Sequence, residues 1–178
     1  MKTNASHSSS IRKLLIALAL GATSAVAFAA DAAVDRSDKE FITDTYENGL
    51  REVKIGELAQ AKTANADVKA LAGHIVTDHG KANAELKTLA DNKKVEVPTD
   101  LTILAKGKVK LLDAKSGADF DKAFVEAMVD GHKKSVKAFE KASSEAKDAD
   151  VKAWAAKTLP ALKTHLSMAE DVQKKVGK

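Results

Sequence analysis

Three histidines, His79, His132 and His165, fall on three separate stretches of helical periodicity, each within or beside the apolar stripe, and Glu52 lies on a fourth. Neutral imidazole with carboxylate is transition-metal donor chemistry, and helical bundles assemble such sites from single side chains on facing helices. Asp78 adjoins His79 and supplies a second acid. The candidate ligands are thus His79, His132, His165, Glu52 and Asp78, a set suited to one zinc, copper or iron ion. Two other readings use the same residues. The histidines can form a buried network satisfied by hydrogen bonds to one another, to Glu52 or to backbone, or they can act as a pH sensor that charges and loosens the core in acid.

Ferroxidase chemistry is disfavoured by what precedes the histidines. A di-iron carboxylate site needs Glu-x-x-His on two of its helices, whereas Val76, Val129 and Leu162 stand three places before His79, His132 and His165. Nor is there a cysteine, a Gly-x-Ser-x-Gly elbow or a glycine-rich phosphate loop. The chain is not read as an enzyme.

The elements that must position these groups begin after an N-terminal leader. Lys2, Arg12 and Lys13, with no acid among them, precede an apolar run from Leu14 through Phe28, and Ala27-Phe28-Ala29 offers a small-x-small cleavage site. Residues 1–29 are expected to be a signal peptide and 30–36 a flexible N-terminus, which places the protein in the periplasm. No later apolar run is long enough to anchor the mature chain across a membrane. Loss of the leader leaves 26 of the 29 basic residues against 25 acidic ones, with signs interspersed and few aromatics, so nucleic acid is excluded as a partner. Without cysteine, stability must come from packing, and the remaining 149 of 178 residues suffice for a single domain over 37–178. An envelope protein or a second copy of the chain stays open as a partner.

Ala, Lys, Glu, Leu and Val dominate, and there are only two prolines, which is helical composition. Ser37-Asp38-Lys39-Glu40 reads as a capping box opening a first helix over 38–62. A second runs from Asn65 or Asp67 to Asn92, a third from Ser116–Asp119 to about Ala146, and a fourth from Ala149 to Lys175. The stretch 93–115 is too long for a tight turn and holds a short helix from Thr99 to about Leu112.

An internal repeat organises these helices. With one gapless offset, Phe41 pairs with Phe124, Val53 with Val136 and Glu57 with Glu140, and Ala66-Asp67-Val68-Lys69-Ala70-Leu71-Ala72 falls on Ala149-Asp150-Val151-Lys152-Ala153-Trp154-Ala155 with six identities in seven. Two copies of one helical hairpin joined by a crossing link give an all-α, ferritin-like four-helix bundle with a short helix in the crossover. Glu52 and His79 then lie about 20 Å from the first hairpin turn, and His132 and His165 about 25 Å from the second, at about 1.5 Å per residue. Because the crossover puts the two turns at opposite ends, all four groups converge near mid-bundle.

Angular positions are less uniform. On helical wheels His132 falls inside its apolar arc and His165 within about 40° of its stripe, while His79 and Asp78 flank theirs by about 50° and Glu52 lies about 60° from its own. His74, about 90° away, reads as a partly exposed residue paired with Asp78 one turn on. Gly49 and Gly56 occupy the inner face of the first helix, where the space they leave suits a close helix approach or a bulky neighbour such as His132, the repeat partner of Gly49.

Several separated motifs, among them Asp38-x-x-Phe41, Gly49-Leu50-x-Glu52-Val53-x-x-Gly56, Asp78-His79-x-x-Ala82-Asn83, Met128-Val129-x-x-His132 and Leu159-Pro160-x-Leu162-x-x-His165, occur in order. Together they resemble the exported bacterial family termed domain of unknown function 4142, over nearly all of the mature chain. That resemblance implies a ferritin-like helical bundle in the periplasm and no settled activity. The functional expectation is a bundle that binds a transition metal at its middle, or a non-catalytic interaction or envelope stress-protection module whose His/Glu cluster is structural.

Overall fold

The computed structural model describes residues 34–176, so the signal-peptide segment lies outside the described residues. These residues form five helices and no strand: α1 (Arg36–Lys62), α2 (Ala66–Asn92), α3 (Ile103–Asp113), α4 (Gly117–Glu145) and α5 (Ala149–Val176). α1 packs most heavily on α2 and α4 on α5, so each sequence repeat is one antiparallel hairpin.

Polar contacts at the helix ends fix how the hairpins are related. Asp38, near the start of α1, accepts backbone N–H bonds from Lys147 (2.8 Å) and Asp148 (2.7 Å) in the α4–α5 turn. Lys93, just past α2, reaches Asp148 and Asp150 at 2.7 and 2.6 Å. At the other end Lys175 of α5 meets Asp67 of α2 at 2.9 Å, and Lys62 of α1 lies over the Phe120 ring of α4. Consequently the link after α2 travels the length of the helices before α4 begins, and α2 and α4 run parallel.

Local chemistry moves two boundaries from their expected places. Asp35, not Ser37, caps α1: its carboxylate accepts from the Ser37 N–H at 2.9 Å and from Ser37 Oγ at 2.6 Å, so the helix starts at Arg36, two residues before the expected Asp38. The crossover helix starts at Ile103 rather than Thr99. Asp100 bonds the Leu101 N–H at 2.7 Å in an extended lead-in, and Thr102 Oγ1 then caps Ala105 N–H at 3.3 Å. α5 stays continuous through Pro160.

The apolar interior divides in two. One cluster gathers Ile55, Leu71, Ile75, Phe120, Phe124 and Met128; the other gathers Ile42, Leu86, Phe139, Val151, Trp154 and Leu162. Between them every long helix places a buried polar residue, Glu52, His79, His132 and His165, and α2 adds a second, Asn83. Dry clusters on both sides hold this polar layer in a low-dielectric setting, where an unpartnered group is costly.

Candidate metal centre

Each long helix contributes one side chain to the layer: Glu52 from α1, His79 from α2, His132 from α4 and His165 from α5. Their exposures are 0%, 7%, 0% and 3%, so all four are removed from bulk water. The three imidazole centroids are 5.4, 5.4 and 5.5 Å apart, a nearly equilateral triangle. One ring nitrogen from each histidine lies within 4.8 Å of the other two.

Hydrogen bonds decide which nitrogens can act as donors to a metal. His132 Nδ1 is 2.9 Å from the Met128 carbonyl, which can only accept, so the proton sits on Nδ1 and the Nε2 lone pair is free. His165 Nε2 donates to Asp78 Oδ2 at 2.8 Å, leaving Nδ1 with its lone pair; that atom is buried and makes no hydrogen bond. Against His79 Nδ1 lies Glu52 Oε2 at 3.1 Å, which favours a proton on that side and turns the Nε2 lone pair toward His132 Nε2, 3.3 Å away. That contact is close but is not a hydrogen bond, and Glu52 Oε2 is buried without one. His132 and His165 therefore point free nitrogens inward while an acceptor steadies the outer side of each, the arrangement that orients histidine ligands in metalloproteins, and the Glu52 carboxylate lies behind the third ring.

Electrostatics keeps two of the rings neutral. Burial holds His79 below the ordinary histidine range despite the opposing pull of Glu52, with His132 and His165 adding to the depression. Burial likewise lowers His165, outweighing its hydrogen bond to Asp78. Neutral imidazole is the form that coordinates a metal.

The five sequence-derived candidates thus separate into two groups. His79, His132 and His165 form the converging set, Glu52 stands beside His79, and Asp78, half exposed, reaches the cluster through His165. Glu52 is fully enclosed although its wheel position is oblique, because Gly131 leaves its path clear: a Cβ there would lie 3.1 Å from Glu52 Oε1. The expected His74–Asp78 pair is not formed; His74 is exposed and Asp78 bonds His165 instead. The space beside Gly49 is filled by Asn83 rather than His132, since a Cβ would lie 2.1 Å from Asn83 Oδ1, and Gly56 makes room for Val76. Sequence reasoning also missed Asn48, whose amide bonds Glu52 Oε1 at 3.2 Å and Ser135 Oγ at 3.4 Å. Its place one helical turn before Glu52 was the available signal.

A cavity of about 570 Å³, lined by residues of all four long helices and of α3, reaches His79 and His165 from the surface past Asn48, Asp130 and Lys134. Two of the three rings, His79 and His165, thus border space open to small solutes. Asn83 Nδ2 bonds the Tyr46 carbonyl at 3.4 Å on the same wall.

Solved structures with this fold include a DUF305 fragment from Deinococcus radiodurans, with TM-score 0.70, 11% identity, and coverage of 80% of this chain and 98% of that one. CopM in its Cu(I)-bound form is similar at TM-score 0.65 and 16% identity, and in its Cu(II)-bound form at 0.62 and 15%, each covering 78% of this chain and 96% of the other. No curated protein matches the sequence. The family model for the domain of unknown function DUF4142 matches residues 23–172, and the chain belongs to that family.

Proposed function

We propose that this protein is an exported, non-catalytic bundle of ferritin-like form that holds one transition-metal ion, copper or zinc before iron, between His79, His132 and His165. The observation that carries the reading is the direction of the free nitrogens. Outer acceptors leave inward lone pairs on His132 and His165, and His79 Nε2 faces His132 Nε2 at 3.3 Å. That spacing is close to the edge of a tetrahedron with metal–nitrogen bonds of 2.0–2.1 Å, about 3.3 Å. A self-satisfied hydrogen-bond network would be expected to close on itself, whereas His165 Nδ1 and Glu52 Oε2 remain without hydrogen bonds in the interior. A cation held between the three rings would satisfy His165 Nδ1.

Copper is favoured by CopM, a neighbour of the same fold solved in two copper-bound forms, and by an all-imidazole donor set. Ferritin-like form rests on the parallel relation of α2 and α4 across a long link, and periplasmic location on the N-terminal leader. His79, His132 and His165 bind, Asp78 and the Met128 carbonyl orient, and the flanking apolar clusters exclude water. The ion when bound would supply a Lewis-acidic centre.

Metal analysis of protein purified from the periplasm, with zinc, copper(II) and copper(I) titrations of the stripped protein, tests the reading. One equivalent bound, lost in both His79→Ala and His132→Ala, is expected. Absence of stoichiometric metal together with no thermal stabilisation by zinc, copper or iron would overturn it.

A further inference from the structure

Among the described residues, the large hydrophobic side chains that stand exposed are Ile103, Leu104 and Leu111, at 92%, 70% and 72%, and all three are on α3. The opposite side of that helix is anchored: Ala105 and Leu112 are buried and Val109 packs on the adjoining apolar cluster. Glu47 Oε1 accepts the Thr102 N–H at 3.1 Å, and Asp113 binds Lys62 at 3.0 Å, so both ends are tied to α1. The outward face is therefore fixed in orientation.

Its pattern is specific. At about 100° per residue, Ile103, Gly107, Leu111 and Leu104 span an arc of about 100°, roughly opposite the buried Ala105, Leu112 and Val109. Lysines border this arc on both sides, Lys110 and Lys106 along one edge and Lys108 and Lys115 along the other. Lys106 pairs with Asp100, while Lys108, Lys110 and Lys115 are exposed and pair with no acid among the described residues. Apolar side chains standing out from a surface, with long cationic stems on either flank, match the boundary between acyl chains and acidic headgroups. A second copy of the chain fits less well, because isologous contact through α3 would bring the two sets of lysines together. Among the described residues no helix is long and apolar enough to cross a membrane.

We propose that α3 is a membrane-docking helix that seats Ile103, Leu104 and Leu111 in the interface of an anionic phospholipid surface, with Lys108, Lys110 and Lys115 on the headgroups. Three apolar side chains on an 11-residue helix give reversible binding that needs the charges as well. Each lysine near an acidic surface contributes about fivefold in partition.

Vesicle flotation tests this with the protein as purified from its host, every variant prepared in the same background so that any contribution of the N-terminus cancels. Vesicles of phosphatidylcholine with about 30 mol % phosphatidylglycerol are expected to carry the wild type, and pure phosphatidylcholine not, with release near 0.5 M salt. Leu104→Glu with Leu111→Glu, and separately Lys108→Glu with Lys110→Glu, should each lower binding at least about tenfold while circular dichroism melts stay unchanged, since all four side chains are exposed. No flotation of the wild type at low salt, or equal flotation of wild type and both variants, overturns the proposal. So does a dimer in light scattering that Leu104→Glu with Leu111→Glu dissolves while vesicles stay bare, which would make the arc a contact between copies.

Discussion

Asp78→Asn separates metal orientation from folding. Asp78 Oδ2 accepts the His165 Nε2 proton at 2.8 Å from a position where its own side chain is 47% exposed. A pair so open to solvent contributes at most about 1 kcal/mol to stability. In a domain of this size that corresponds to about 2–4 °C in Tm, so the apo variant should melt within a few degrees of wild type. Affinity responds more strongly. Carboxylates behind a ligating histidine are worth about 10–100-fold in metal binding, because they fix the ring and raise its basicity. Asparagine keeps an acceptor oxygen and the ring orientation, and removes the charge that opposes the depression of the His165 pKa. At one metal concentration above both dissociation constants, a 10–100-fold loss lowers metal-linked stabilisation by about 1.4–2.7 kcal/mol. The melting increment on adding copper or zinc should therefore shrink by about 3–10 °C. Differential scanning calorimetry with and without metal reads both quantities in one series. An undiminished increment in Asp78→Asn, alongside a lost one in His132→Ala, would remove His165 from the donor set. A drop of more than about 10 °C in the apo variant would mean the pair is structural and the discount for solvent is wrong.

Acidification should destabilise the metal-free protein. His79 and His165 titrate below the ordinary value of 6.5 when folded, so the unfolded chain binds more protons, and stability is complete above about pH 6.5 and lost progressively below it; melts from pH 7.5 to 5 measure the slope. Bound metal should be released over the same window, since protons compete for the same nitrogens, as pH-stepped dialysis with metal analysis would record. Gly49→Ala should cost about 1–3 kcal/mol through the clash with Asn83, and Asn83→Ala introduced beside it should recover part of that loss in a double-mutant cycle. Asp38→Ala frees two backbone N–H groups that it holds at 2.7 and 2.8 Å in the α4–α5 turn, and chemical denaturation should show a loss of about 2–3 kcal/mol.

Height along the helices was legible in the sequence and angle was not, and the two differ for a physical reason. Height depends only on residue count from a turn, and Asn65 and Asp148 mark their turns by capping the helices that follow, accepting N–H bonds from Asp67 and Asp150. Counting back from those caps places Glu52, His79, His132 and His165 on one level, where the structure has them. Angle depends on what the neighbouring helix leaves vacant, which no single helix encodes. Glu52 sits obliquely on α1 and is fully enclosed because Gly131, on another helix, has no side chain to meet it. Asp78 looks like a partner for His74 within α2, but a carboxylate takes the stronger donor that tertiary packing delivers, and α5 brings His165 Nε2 to 2.8 Å.

The same distinction explains why α3 went unread as a surface. Its spacing of Ile103, Leu104, Ala105, Val109, Leu111 and Leu112 carries apolar residues on two sides, and a sequence gives no reason to choose which side faces the core. Contacts with α1 decide it: Lys62 fixes Asp113 and Glu47 fixes Thr102, which turns Ala105 and Leu112 inward and strands Ile103, Leu104 and Leu111 in solvent. Stranding three large side chains on one face would be an aggregation liability for a freely diffusing chain. With lysines on both borders, the face is instead matched to an acidic interface, and the polar layer and this helix then answer separate questions. One concerns what the bundle holds, the other where the protein rests while holding it. Leu111 and Lys108 line the same cavity as His79 and His165, so a protein seated through α3 would hold that cavity close to the lipid surface. Metal loading of vesicle-bound protein should accordingly be slower than in solution, measurable by stopped-flow uptake of zinc, while equal rates would mean the route opens away from the seated face.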